Sequence, residues 1–332
     1  MNWKDLKLNS VIFLITYALF FLIGIGTFSK ISLKSTVISI LISSCFSYFL
    51  LSLYLKKNED CKLVQKNSIF IDTIKCVLLL ILLNYTLNKT SAFITCNVVN
   101  SLSIYLVSTF FLIISVFIVK KGFPTITKSL FLYLLLDIFL IVITFVLLFP
   151  KMNFNNILPI IDAKYENIGL SSLIYLCVSL TPFIYLPLFK EKLSQKRCKS
   201  IKKGFLTTHA FIFFYTLVVF SILGINLVNI YPYPEVAIFK KVSFLNIIDR
   251  VESIFSISYF LSLFIFFIIN FYQLFNIIKK YFNIKKETKS LVLLAFLIFI
   301  SNEILEISVF GFLIVIFLLI ICFFTTTKSK RC

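Results

Sequence analysis

Runs of about twenty apolar residues, separated by short polar stretches, recur along the whole chain. A helix rises about 1.5 Å per residue, so each run is long enough to cross a bilayer's hydrocarbon core as one helix. Ten runs are read this way. They begin near Leu8, Ser35, Ile69, Ser101, Ser129, Ile168, Phe205, Leu245, Lys289 and Ser308, and end near Phe28, Leu55, Asn88, Val119, Phe149, Pro187, Leu227, Phe275, Leu305 and Thr325. The stretch from Leu291 to Thr327 exceeds one helix, and its polar interruptions at Ser301-Asn302-Glu303 and Glu306 to Gly311 divide it into two with a tight turn between. The eighth run opens on Asp249, Arg250 and Glu252, so its start is open to a second reading as an interfacial helix. The first run follows Lys4 and Lys7 but is long for the apolar core of a signal peptide, and is read as a retained span. The pattern defines an all-α polytopic membrane protein of about ten transmembrane helices, with residues 1–332 forming a single transmembrane domain.

Composition agrees. Of 332 residues, 60% are hydrophobic and 14% charged, against about a quarter charged in soluble domains. The net charge of +19 would suggest nucleic acid in a soluble protein, but here the basic residues lie between the apolar runs. With the N-terminus inside, the cytoplasmic segments carry 24 of the 33 Lys and Arg residues and the external loops seven; Lys75 and Arg250 lie within or beside spans. The asymmetry places both termini in the cytoplasm. Cys96 is then external, and Cys61 and Cys198 internal.

Ten spans divide as five plus five, a first repeat of about 8–149 and a second of about 168–325. An odd number per repeat inverts the second half, an architecture in which substrate lies at mid-membrane between discontinuous helices. The first and sixth spans are therefore expected to be interrupted. The first carries Gly24-Ile25-Gly26-Thr27, two of only seven glycines; the sixth carries Ser179-Leu180-Thr181-Pro182 and then Pro187. Such breaks are tolerated where they line a cavity or are buried in protein. The plainer alternative is that the glycines end a helix and Pro182 only kinks one.

Polar groups inside the spans are costly and usually face the bundle. They are Lys75, Asn84, Asn88, Asp137, Asn270, Glu303 and Glu306. Of these, Lys75, near the cytoplasmic end of its helix, is read as snorkelling, and Glu303 and Glu306, near an external turn, as solvated. Asp137 reads either as a proton or cation site or as the partner of a basic residue on a neighbouring helix. No nucleophile elbow, phosphate-binding loop or zinc-protease motif is present, and His209 is the only histidine, so enzymatic activity is not expected. The eight cysteines form no Cys-x-x-Cys pair. No metal and no cofactor are expected.

Three stretches carry a family resemblance: Phe149-Pro150-Lys151-Met152-Asn153-Phe154-Asn155-Asn156-Ile157-Leu158-Pro159-Ile160 after the fifth span; Tyr231-Pro232-Tyr233-Pro234 with Val236 and Phe239 after the seventh; and Phe244 to Phe255, with Arg250-Val251-Glu252, opening the eighth. Their order and spacing resemble the B subunits of endospore germinant receptors, spore germination proteins of the amino acid permease-like superfamily. The resemblance implies an amino-acid-permease-like fold, residence in the inner membrane of a spore, sensing of a small nutrient such as an amino acid, and assembly with an A-type subunit and a lipoprotein C-type subunit. Phe255 stands where the family pattern leads one to expect Trp.

The expected ligand site lies between the two interrupted spans, at Gly24, Gly26, Thr27, Ser179, Thr181 and Pro182, with Asn84 and Ser256 or Ser258 completing it. A half-helix N-terminus would offer N–H groups to a carboxylate. Gly26 is expected where backbone meets ligand, so that Gly26→Val should block the response at normal protein levels. Arg250, Glu252 and Asp137 are read as structural or interface residues. Two other readings remain: a secondary amino acid transporter, and a membrane scaffold without ligand.

Overall fold

The computed structural model describes residues 3–59, 62–65, 69–98, 102–189, 193–241, 251–282, 287–304 and 307–330. The helices are α1 (Trp3–Ile23), α2 (Ile25–Ser32), α3 (Thr36–Lys57), α4 (Ile69–Asn97), α5 (Ile104–Lys120), α6 (Phe123–Leu148), α7 (Tyr165–Leu180), α8 (Gln195–Ile230), α9 (Pro234–Ala237), α10 (Val251–Tyr281), α11 (Glu287–Ile304) and α12 (Val309–Thr326). A 3-10 segment, Thr181–Phe189, continues α7. Two four-residue strands, β1 (Lys62–Gln65) and β2 (Thr327–Lys330), pair with each other. Among the described residues, six helical runs are long and apolar enough to cross a membrane, and shorter apolar helices lie at Asn9–Ile23, Ile104–Lys120 and Val309–Cys322. The chain is an all-α multi-pass membrane protein.

Several element bounds move from their expected places. The first span is two helices, α1 and α2, parted at Gly24. The last apolar stretch is two, α11 and α12, as its polar interruptions imply. The greatest shift is in the seventh span: α8 begins at Gln195, ten residues before Phe205, so the basic run from Lys196 to Lys203 forms helical turns rather than a loop. Lys, Arg and Gln are good helix formers, and the apolar face continues through the buried Cys198 and Ile201. The alternative start of the eighth span, at Asp249 and Arg250, lies outside the described residues.

The chain packs as two compact units: residues 1–63, 134–259 and 329–332, and residues 64–133 and 260–328. Each draws on both halves of the chain. The first contains α1–α3, most of α6, α7–α9 and the start of α10. Within it α3 packs on α7 and α8, and a stripe of small residues, Ser35 just before α3 and Ser39, Ser43 and Ser47 on it, is buried. Ser39 Oγ lies 3.2 Å from the Ile168 carbonyl and Ser43 Oγ 2.6 Å from that of Ser172. Small residues let helix backbones approach closely in a membrane, where the hydrophobic effect does not drive association.

The second unit is held by α4 against α5, α11 and α12. Asn84 Nδ2 donates to Ser301 Oγ at 2.9 Å, and Asn302 Nδ2 to Asn88 Oδ1 at 3.0 Å. Near the start of α4, the buried Asp72 accepts from Lys280 Nζ at 2.6 Å and from the Tyr281 hydroxyl. Tyr85 stacks on Phe312, with centroids 4.0 Å apart. Asp72, Asn84 and Asn88 of α4 are thus paired across helices, while Thr86, Thr90 and Ser91 bond carbonyls of α4 itself; both satisfy polar groups inside the bundle.

Candidate functional site

Gly24 sits at φ 82°, ψ 140°, in a region open to glycine and strained for other residues. Its N–H still bonds the Phe20 carbonyl (3.0 Å), and the chain turns back into helix at Ile25, where Thr27 N–H bonds the Gly24 carbonyl (3.1 Å). The break frees carbonyls that other groups cap. Thr27 Oγ1 donates to Ile23 O at 2.7 Å, and the Tyr259 hydroxyl to Phe21 O at 2.8 Å.

The second interrupted helix lies beside the first. α1 packs on the 3-10 segment Thr181–Phe189, and both α1 and α2 pack on α7. Thr181 Oγ1 donates to Cys177 O and Ser179 Oγ to Leu176 O, both at 2.8 Å; these hydroxyls satisfy their own helix as it tightens before Pro182. Rings line the junction. Phe20 and Phe28 stack across the Gly24 break at 5.3 Å, and Tyr175 of α7 meets Phe20 edge-on at 5.7 Å.

A buried carboxylate completes the surroundings. Pro234, Glu235, Val236 and Ala237 form α9, a buried turn after α8, in the segment expected to be an external loop. Glu235 Oε1 comes within 3.7 Å of the point a Cβ on Gly24 would occupy. Its backbone carbonyl accepts from the Tyr215 hydroxyl at 2.7 Å, and its Oε1 lies 3.4 Å from the Tyr259 hydroxyl. Tyr259 has one phenolic hydrogen and the shorter contact, to Phe21 O, takes it. Asp137, also buried, accepts from Ser258 Oγ.

The kink in α8 has its own cap. Gly224 stands at φ 69° inside that helix, and the freed Ser221 carbonyl accepts from Asn153 N–H (3.1 Å) and Asn156 Nδ2 (2.8 Å). Further along the same connection, Asp162 accepts from the Lys34 and Ser35 backbone N–H groups, at 3.3 and 3.2 Å. A carboxylate at the N-terminal end of a helix satisfies donors that lack an intrahelical partner.

Of the expected site residues, Gly24, Gly26, Thr27, Ser179, Thr181 and Pro182 lie in the first unit, on or between elements that pack on one another: α1 on α7 and on the 3-10 segment, and α2 on α7. Ser256 belongs to the same unit. It is buried, lies one turn before Tyr259 on α10, and its Oγ has no hydrogen-bond partner among the described residues. Asn84 is in the second unit, bonded to Ser301. Arg250 lies outside the described residues; Glu252 is within α10. Gly26 differs from expectation in its surroundings. A Cβ there would stand 3.3 Å from the Val228 carbonyl and 3.7 Å from the Pro234 ring, so its bare face is taken by the chain itself rather than left open. Glu235, Tyr215 and Tyr259 carry no mark in the sequence that singles them out. The only signal is Glu235's place beside the Tyr-Pro-Tyr-Pro stretch.

Apolar helices in two compact units, with two interrupted helices side by side, define a multi-pass membrane protein of permease type. The fold is similar to that of Mhp1, a nucleobase-cation-symport-1 family transporter solved in a closed conformation with bromovinylhydantoin bound. The TM-score is 0.60 at 12% identity, covering 94% of this chain and 74% of that one. Among curated proteins none matches the chain. The chain belongs to the spore germination protein family, which it matches over residues 36–330.

Proposed function

We propose that the chain is the nutrient-sensing B subunit of a spore germinant receptor, binding a small molecule such as an amino acid at the paired breaks of its first and sixth spans. The carrying observation is the packing of the Gly24 break beside the Thr181–Phe189 segment, with the buried Ser256 hydroxyl on the helix that holds Phe21 O through Tyr259. The α2 N-terminus there favours a negative group. Ligand binding shifts a closed–open equilibrium of the broken helices, and A-type and lipoprotein C-type subunits read the shift in the spore inner membrane. Both termini are cytoplasmic.

The two halves, about 8–149 and 168–325, are inverted repeats in this reading. The division into units supports it in part: the first and second spans fall with the sixth and seventh, and the third and fourth with the ninth, while the eighth is split between the units and the fifth and tenth fall in opposite ones.

Thermal-shift titration of the purified chain with single amino acids tests the proposal; a saturable shift for one or a few is expected, and none across the set would overturn it. The likeness of the fold to a transporter favours one second reading, a secondary amino acid transporter. That protein would accumulate labelled amino acid in proteoliposomes without partner subunits, whereas the sensor binds it and does not.

A further inference from the structure

The seam between α3 and α8 carries two depressions in succession. At the end where α3 finishes and α8 begins, a pocket of about 320 Å³ is lined by Ser52, Lys56, Glu59, Gln195, Lys199 and Lys202, over a floor that includes Leu55 and Cys198. No ion pair or hydrogen bond neutralises Lys56, Lys199 or Lys202 among the described residues, although Glu59 lies among them. Three ammonium groups around one small concavity repel each other and attract an anion. The N-cap of α8, Ser194, makes no side-chain hydrogen bond to the first turn, so amide donors add to the same field.

Further along the seam lies an apolar groove of about 390 Å³, walled by Leu41, Cys45 and Tyr48 of α3 and by Leu206, Ala210 and Phe213 of α8. Tyr48 and Phe205, ring centroids 6.3 Å apart, bridge the two helices on the side nearer the basic pocket. The flanking surface is apolar and outward: Leu41 is 44% exposed, Leu206 60% and Phe214 59%. In a membrane protein such a face meets lipid. Polar pocket and apolar groove therefore follow one another along the membrane normal, as headgroup and acyl chain do in one lipid leaflet.

We propose that this seam is a binding site for one anionic phospholipid, its phosphate held by Lys56, Lys199 and Lys202 and one acyl chain laid along the groove beside Ala210. The shared chemistry is a phosphate, and the groove assigns its source to a lipid rather than to free phosphate. A zwitterionic lipid would bring its own cation to the three lysines and bind less well.

The test uses the full-length protein in neutral detergent, with lipid binding read by native mass spectrometry. Phosphatidylglycerol is expected to bind in preference to phosphatidylcholine, and a K56Q/K199Q/K202Q variant to lose about tenfold or more in phosphatidylglycerol affinity at low salt. K128Q, which removes a charge elsewhere, should leave that affinity unchanged. Filling the groove with A210F should weaken phosphatidylglycerol binding while the protein remains folded by circular dichroism. Equal binding of both lipids, or a lysine triple variant that binds phosphatidylglycerol as well as the parent, would overturn the site. Displacement of the lipid by inorganic phosphate, together with an A210F variant that binds lipid normally, would overturn the lipid assignment.

Discussion

Tyr259 donates its phenolic hydrogen to the carbonyl of Phe21, 2.8 Å away and 238 residues earlier in the chain. That carbonyl belongs to the turn of helix opened by Gly24, and both residues are buried. Tyr259→Phe keeps the ring and its edge-on contact with Phe21, with centroids 5.8 Å apart, and removes only the donor. A buried acceptor left without its partner costs about 1–3 kcal/mol. The variant should melt measurably below the parent in detergent, and germination should require more nutrient.

The two glycines of the first break should fail for opposite reasons. At Gly24 a Cβ meets only ordinary contacts, Glu235 Oε1 at 3.7 Å and Phe21 O at 4.0 Å, but φ is 82°. Gly24→Ala therefore carries backbone strain of about 1–3 kcal/mol. At Gly26 the backbone is helical and the space is short, with Val228 O 3.3 Å away. Gly26→Val should push α2 off α8 and lower protein level and melting temperature together. Immunoblots of spore membranes check this; Gly26→Val at parental abundance and stability would contradict the packing.

Asn84 should behave as a structural residue. Its amide nitrogen donates to Ser301 Oγ at 2.9 Å, while the single Ser301 hydroxyl hydrogen goes to the Ile298 carbonyl at 3.0 Å rather than to Asn84 Oδ1 at 3.2 Å. Interhelical hydrogen bonds in membranes contribute about 0.6–2 kcal/mol, so Asn84→Leu should lower the melting temperature by a few degrees and leave the nutrient concentration for half-maximal germination unchanged. A several-fold rise in that concentration, with stability intact, would return Asn84 to the ligand set.

Orientation is open to thiol labelling. Cys96 is exposed and should react with an impermeant maleimide from outside. Cys198 is a poor internal reporter because it is buried, its thiol 3.7 Å from the Leu193 carbonyl. Lys196→Cys, on an exposed position of the same first turn, should label only after permeabilisation. The reverse pattern would invert the topology.

Much of the fold is legible in the sequence because membrane burial writes itself as length. Twenty apolar residues need a helix, and Gly24 and Pro182 announce their breaks by residue type. Other features have no such signature. Gly224 bends α8 at φ 69°, yet an isolated glycine in an apolar run also reads as a helix end. Glu235 follows two prolines in a short polar stretch, which reads as a solvated loop; its burial depends on Tyr215 and Tyr259, contributed by two other helices. The basic run at Lys196 reads as loop because charge density marks membrane boundaries, while its helicity comes from propensity and from the buried Cys198 and Ile201. Gly26 reads as an opening, and only the fold places Val228 and Pro234 against it.

Ser256 gives the most direct test of the proposed site. Its buried hydroxyl has no protein partner among the described residues, so Ser256→Ala breaks no described bond within the chain and should leave the melting temperature unchanged or slightly raised. A hydrogen bond to ligand is worth about 0.5–1.5 kcal/mol, a shift of roughly two- to tenfold. The measurement is the amino acid concentration giving half-maximal germination of spores carrying Ser256→Ala at parental protein level. A rise of that size is expected; an unchanged concentration would overturn the contact between Ser256 and the ligand.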